Sequence, residues 1–186
     1  MRTRIPRQST YEQGIHRADS DARLSAELAA VVAAARRRAL RDGDRQLDTA
    51  HLLHTLLESD PEVRGVFGDG PRIARLLGYL VQRSIGYGLR WQGTVEDSGA
   101  LSAPAAADGW SPLAADALEC ACERAGRRGG DLARGTDLLA AIVADPRARA
   151  VEVLGRAGIA SPDVLVRAEG RAGEEECVRS GGAAAR

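Results

Sequence analysis

From Leu47 to Glu58 the chain reads LDTAHLLHTLLE, with Leu52, Leu53, Leu56 and Leu57 at positions i, i+1, i+4 and i+5. That spacing makes one broad apolar stripe at the helical period and predicts a helix that must be buried. The stripe returns unchanged in spacing as Leu138, Leu139, Ile142 and Val143. Around it, Ser25 corresponds to Ser111, Ala35 to Ala121, Arg38 to Arg124, Ala39 to Ala125 and Gly43 to Gly129. One residue is then dropped, after which Asp60-Pro61 matches Asp145-Pro146, Arg64 matches Arg149 and Val66 matches Val151. Spacing kept over this length predicts a tandem repeat of one helical unit.

Start and stop signals divide each unit into four helices. Ser25 caps the first and Gly43 stops it, with Leu28, Val31, Val32, Ala35 and Ala39 on its inner face. Asp48 or Thr49 caps the duplicated helix, which ends near Ser59. Asp60-Pro61 starts a brief third helix to about Phe67. Pro71 begins a fourth, with Ile73, Leu76, Leu77, Leu80 and Val81 as its stripe, ending at Gly86 or Gly88. In the second unit Ser111-Pro112, Thr136, Pro146 and Ser161-Pro162 are the four starts, and Gly129-Gly130 ends its first helix.

Residues 88–109 are rich in Gly, Ala and Ser without helical periodicity and read as a linker. The expected organisation is a loose polar leader at 1–22, a first repeat at 23–87, that linker, a second repeat at 110–169 and a disordered tail at 170–186. Runs with period-2 alternation are missing. The expected fold is therefore all-α, two tandem four-helix repeats packed as one pseudo-two-fold eight-helix domain.

Composition narrows this picture. A chain of 186 residues suits one body, in which roughly 70% of the unfolded surface is buried. Hydrophobic residues make up 44% but aromatics only 3%, so the core must be Leu, Val and Ala between closely packed helices. With 26 basic and 26 acidic residues the net charge is zero, which favours neither nucleic acid nor an anionic membrane as partner. Every basic residue is Arg, the bias of a GC-rich genome of the actinobacterial kind. Three cysteines, two of them close together, make no disulfide framework and fit a reducing, cytoplasmic setting. No apolar run reaches the roughly 20 residues that span a bilayer, and the start lacks the apolar middle of a signal peptide.

The Leu24-Ser25 opening, the WSPLA of Trp110 to Ala114, the Ala-rich first helix and TAHLLHTLL from Thr49 to Leu57 together carry a family resemblance. The second copy of the last motif is GTDLLAAIV, from Gly135 to Val143. Over residues 24–168 the chain resembles the tandem Clp N-terminal repeat, the substrate- and adaptor-docking domain at the front of Clp-type unfoldases. There is no GxxxxGK(S/T) phosphate loop and no Lys to complete one, so ATP-driven unfolding is not expected of this chain. The resemblance implies a stand-alone, non-catalytic module without cofactor. It would bind a protein or peptide in Clp-dependent proteolysis, such as a protease component, an adaptor or a client. Its alternative is a decoy that sequesters cyclic-peptide antibiotics.

In the family, an acidic residue after the motif's Thr contributes to a phosphoarginine pocket; here that position is Ala50, and Thr136 in the second repeat. Losing the carboxylate at both removes a bidentate charge-assisted contact and argues against phosphoarginine recognition. Asp137, one residue on, points about 100° away on a helix. His51 and His54 are spaced as a metal pair, but a hydrogen bond from His51 to a neighbouring loop is the expected arrangement, and no metal site is expected. Cys120 and Cys122 face opposite sides of a helix and cannot clamp one ion. Arg36 to Arg38 and Arg127-Arg128 are solvated helix ends, or one basic surface for an acidic partner. Trp110 either staples a helix start or lies at a ligand groove, as the matching family Phe implies. No catalytic constellation is apparent; the candidate binding residues are Asp48, Thr49, His51, Trp110, Thr136 and Asp137.

Overall fold

The computed structural model describes residues 22–68, 70–84, 96 and 109–182, with backbone alone for 83–84 and 172–182. The predicted leader up to residue 21, and all of the linker except Glu96 and Gly109, lie outside the described residues. Eight helices are described: α1 (Ala26–Asp42), α2 (Thr49–Ser59), α3 (Pro61–Phe67), α4 (Gly70–Ser84), α5 (Pro112–Arg127), α6 (Gly135–Ala144), α7 (Arg149–Arg156) and α8 (Ser161–Gly182). The described residues form no strand, and the fold is all-α as the periodicity predicts.

The two similar stretches are the centre of the core. In α2 every residue from Thr49 to Leu57 is buried, and in α6 every residue from Gly135 to Val143. Leu52, Leu53, Leu56, Leu57, Leu138 and Leu139 have no exposed surface. Each such side chain contributes roughly 1.5–3 kcal/mol by leaving water. α1 packs on α2, and α5 and α8 pack on α6. α1 presents the expected face of Leu28, Val31, Val32, Ala35 and Ala39, and α5 buries Leu113, Ala114, Ala117, Leu118, Ala121, Cys122 and Ala125.

Two short parallel bridges stitch the halves crosswise. Leu24 pairs with Ala133, and Leu47 pairs with Trp110. In the first, Ser25 N–H donates to Ala133 O at 2.9 Å and Ala133 N–H to Arg23 O at 2.8 Å. In the second, Leu47 N–H donates to Gly109 O at 2.6 Å and Ser111 N–H to Leu47 O at 2.8 Å. The N-terminus of α2 is thereby held beside that of α5, and the N-terminus of α1 beside that of α6.

Most helix ends follow the sequence signals. Ser25 Oγ accepts from Leu28 N–H at 3.2 Å, and Ser111 Oγ from Ala114 N–H at 3.1 Å. Asp48, not Thr49, is the cap of α2; its Oδ1 accepts from His51 N–H at 3.0 Å. Asp60 Oδ1 caps α3 through Glu62 and Val63 N–H.

Several boundaries differ from the sequence reading, among them the start of α4, at Gly70 rather than Pro71. α6 begins at Gly135, with Thr136 its second residue and Arg134 in the cap position. α7 begins at Arg149 rather than at Pro146. Asp145 spends its carboxylate on Arg147, accepting from Arg147 N–H at 2.9 Å and from the guanidinium at 3.0 and 2.8 Å, so the chain makes a turn there first. α8 runs on to Gly182, through the segment read as a disordered tail. Good helix formers in that stretch, Glu174 to Glu176 among them, outweigh Gly170 and Gly173.

Candidate functional site

The crosswise stitch creates a buried polar cage at the start of α2. Its centre is Glu96, only 4% exposed. Glu96 Oε2 accepts from Thr49 N–H at 3.0 Å and from Ser111 Oγ–H at 2.5 Å. Its Oε1 accepts from the Thr49 hydroxyl and from Arg149 N–H, the latter at 2.7 Å. Thr49 Oγ1 in turn accepts from Ala150 N–H at 3.1 Å. Thr49 is the first residue of α2 and Arg149 the first of α7, so one carboxylate satisfies orphan N–H groups at two helix N-termini. Residue 148, which should cap α7, is Ala and makes no side-chain hydrogen bond. Glu96 supplies that cap from a distance.

Beside the cage runs a buried ion pair. Asp48, 1% exposed, places Oδ2 at 2.8 Å from Arg149 Nη1 and Oδ1 at 2.8 Å from His51 Nδ1. His51 Nε2 lies 3.0 Å from Asp44 Oδ2. His54, one turn on, has Nε2 at 3.4 Å from Glu58 Oε1. Burial, with the Arg38 charge second, pushes the His54 pKa down to about 4, although Glu58 and Asp42 pull the other way.

Of the six candidate binding residues, the structure brings Asp48, Thr49 and His51 together here. Trp110 is 5% exposed, fixed by its bridge to Leu47 and covered by the Arg36 guanidinium 5.2 Å above its ring. Trp110 is thus part of the core, with a cation–π contact above its ring. Thr136 and Asp137, 3% and 2% exposed, lie apart at the start of α6. Asp137 Oδ2 accepts from Arg134 N–H at 3.0 Å and from Arg128 Nη2 at 3.0 Å, with Arg128 Nη1 on Oδ1. All six side chains are buried; none is displayed to a partner in this conformation.

Four arginines of the basic runs have partners. Arg36 covers Trp110, Arg38 pairs with Glu58, Arg127 lies 3.5 Å from Glu123 and Arg128 grips Asp137. Cys120 is exposed and Cys122 buried, on opposite sides of α5 as their spacing requires. Burial raises both thiol pKa values, which disfavours the thiolate a nucleophile would need. Cys177 lies outside the described side chains.

Open concave surface lies beside these buried groups. One groove of about 850 Å³ lies between α1, the α2–α3 turn and the loop before α6. Ala30, Val31, Ala34, Pro61 and Leu132 supply its apolar lining, Leu132 being 43% exposed. Its charged rim is Glu27, Asp60, Glu62 and Asp131 against Arg37 and Arg134. A smaller groove of about 330 Å³ touches Thr49, between α5 and the α6–α7 turn, and one of about 340 Å³ touches Thr136 and Asp137. Trp110 lines none of the three. Sequence reasoning missed Glu96, a lone carboxylate in an aperiodic stretch, and missed the large groove, whose walls come from three separated segments. With that helix read as starting at Pro146, the bare Ala148 gave no signal that a cap had to come from elsewhere.

No family model matches the sequence, and no curated protein matches it. A solved structure does match: the N-terminal domain of the caseinolytic protease associated chaperone ClpD from Arabidopsis thaliana. It is 19% identical with a TM-score of 0.57, and the match covers 80% of this chain and 96% of that one. Identity at that level speaks to architecture alone, and the architecture agrees with the resemblance carried by TAHLLHTLL and WSPLA: the chain has the fold of a Clp N-terminal domain.

Proposed function

We propose that this chain is a non-catalytic docking module that takes a protein or peptide segment into the groove beside α1. The observation that carries the reading is that groove, open and lined by apolar surface, on a fold that resembles a docking domain. At about 850 Å³ it is within the range of ligand sites. Its four carboxylates against two guanidinium groups favour a segment that pairs an apolar side chain with a basic one. Participation in Clp-dependent proteolysis, through a protease component, an adaptor or a client, follows from the family resemblance. A groove containing Trp110 would support sequestration of cyclic peptides, but Trp110 is buried and lines none of the three grooves.

Fluorescence anisotropy with labelled peptides of about ten residues tests this reading, comparing Arg/Leu, Glu/Leu and Ser/Gly compositions. The Arg/Leu peptide should bind best, and Ala30→Arg, an exposed groove position, should weaken it at least about tenfold without changing helicity, a loss near 1.4 kcal/mol. Equal binding of all three, or binding indifferent to Ala30→Arg, would remove the groove from the proposal.

A further inference from the structure

The elbow between α1 and α2 holds a second polar assembly, and it does not depend on the docking reading. Gly43 ends α1 with φ 72°, its N–H returning to Ala39 O and Leu40 O. Asp44 N–H also returns to Ala39 O, at 3.0 Å. This tight reversal turns the carboxylates on either side of Gly43, those of Asp42 and Asp44, toward the first turn of α2. There they meet His51. One ligand atom from each of Asp42, Asp44 and His51 lies within 4.8 Å of the other two.

The histidine is the best-organised member of the three. It is fully buried, whereas Asp42 and Asp44 are half-buried, so the imidazole forms the floor and the carboxylates a rim open to water. Its Nδ1 is 2.8 Å from Asp48 Oδ1, and Asp48 is held in turn by Arg149 at 2.8 Å and by His51 N–H at 3.0 Å. The Asp48 carboxylate is placed to accept a proton on Nδ1, the tautomer that frees the Nε2 lone pair for a ligand at the rim. Metal-bound histidines are oriented in this way by outer carboxylates. In the sequence, His54 is the one partner weighed for His51 and no metal site is expected; the fold brings two aspartates from the preceding turn to His51 instead.

We propose that Asp42, Asp44 and His51 bind one divalent transition cation, with Zn²⁺ the best fit to one imidazole nitrogen and two carboxylate oxygens. Water completes the coordination. Ligand atoms about 2.1 Å from a common ion sit roughly 3–4 Å apart, so a small swing of the two rim carboxylates closes the site. Without metal, Asp48 N–H donates to Nδ1 at 3.2 Å and Nε2–H faces Asp44. Binding moves that proton to Nδ1, where Asp48 Oδ1 accepts it, and the ion takes its place on Nε2. The ion neutralises two carboxylates and pins the end of α1 to the first turn of α2, the turn that also carries Thr49 of the Glu96 cage.

The test is calorimetric titration of ZnCl₂ into the chelator-treated full chain, with ¹⁵N-imidazole spectra recorded in parallel. A background carrying Cys120→Ser, Cys122→Ala and Cys177→Ser excludes the thiols. One equivalent should bind at a Kd of about 10 μM or tighter, with His51 Nε2 shifted as a metal ligand and Nδ1 protonated. Asp42→Asn with Asp44→Asn, both at half-buried positions, should keep the helical spectrum and weaken binding at least about tenfold. His51→Gln adds the third ligand and is read only beside its own folding check. Zn²⁺ binding weaker than about 1 mM, binding unchanged in the Asp42/Asp44 variant, or binding lost wholly in the cysteine-free background would overturn the proposal.

Discussion

The Glu96 carboxylate accepts the backbone N–H of Arg149 at 2.7 Å, although 53 residues separate them in the chain. It does so while also satisfying Thr49 N–H and two hydroxyls, which makes it a cap shared by α2 and α7. Because α2 is central to the first half and α7 belongs to the second, this one side chain ties the halves together. Glu96→Ala leaves those donors buried without an acceptor, at about 1–3 kcal/mol for each that water cannot reach. A loss of about 2–4 kcal/mol is expected, seen as a fall of roughly 5–10 °C in the thermal midpoint by circular dichroism. Glu96→Gln, which keeps one acceptor oxygen, should fall between. A midpoint within about 2 °C of wild type for Glu96→Ala would mean that the cage holds nothing together.

How much of this could be read from the chain divides along physical lines. Leu52, Leu53, Leu56 and Leu57 and their counterparts announced the two core helices because periodicity is a local property. Ser25, Asp60 and Ser111 announced their caps because a cap acts within three residues. Glu96 belongs to neither class: nothing near it in sequence needs a carboxylate, and the partners that do are brought to it by the crosswise bridges. The same limit applies to His51. Its Nδ1 partner Asp48 is three residues away and legible, while Asp42 and Asp44 reach its other nitrogen only through the turn at Gly43. Trp110 was legible as an aromatic helix opener; that it lies under Arg36 was not.

His54 should make stability depend on pH between neutrality and pH 4. Its folded pKa is about 4, against about 6.5 for an unperturbed histidine. The unfolded chain therefore binds the extra proton first, and stability present above pH 6.5 is lost as pH falls toward 4. By pH 5 the loss from this one group approaches about 2 kcal/mol. The groups facing it are Glu58 at 3.4 Å, Arg38, Asp42 and His51, so the comparison must be differential. Urea unfolding at pH 7 and pH 5 should show wild type losing about 2 kcal/mol more than His54→Gln. Equal losses would place the histidine's titration in the folded state near its ordinary value.

Gly135 and Gly78 should respond to the same added methyl with opposite signs. Gly78 lies within α4 with nothing within 4 Å of where a Cβ would stand. Gly78→Ala should stabilise by about 0.5–1 kcal/mol, through the lower backbone entropy of the unfolded chain. Gly135 opens α6 at the position corresponding to Thr49, but its empty side is already filled. A Cβ there would stand 1.9 Å from Asp60 Oδ2 and 3.1 Å from Leu56 Cδ2. Asp60 cannot withdraw freely, because its other oxygen caps α3 through Glu62 and Val63 N–H. Gly135→Ala must therefore unseat that cap or push α6 off α2, at a cost of about 2–4 kcal/mol. Urea midpoints of the two variants decide it. If Gly135→Ala is neutral while Gly78→Ala stabilises, the close approach of the α2–α3 turn to α6 is not a feature of the folded protein.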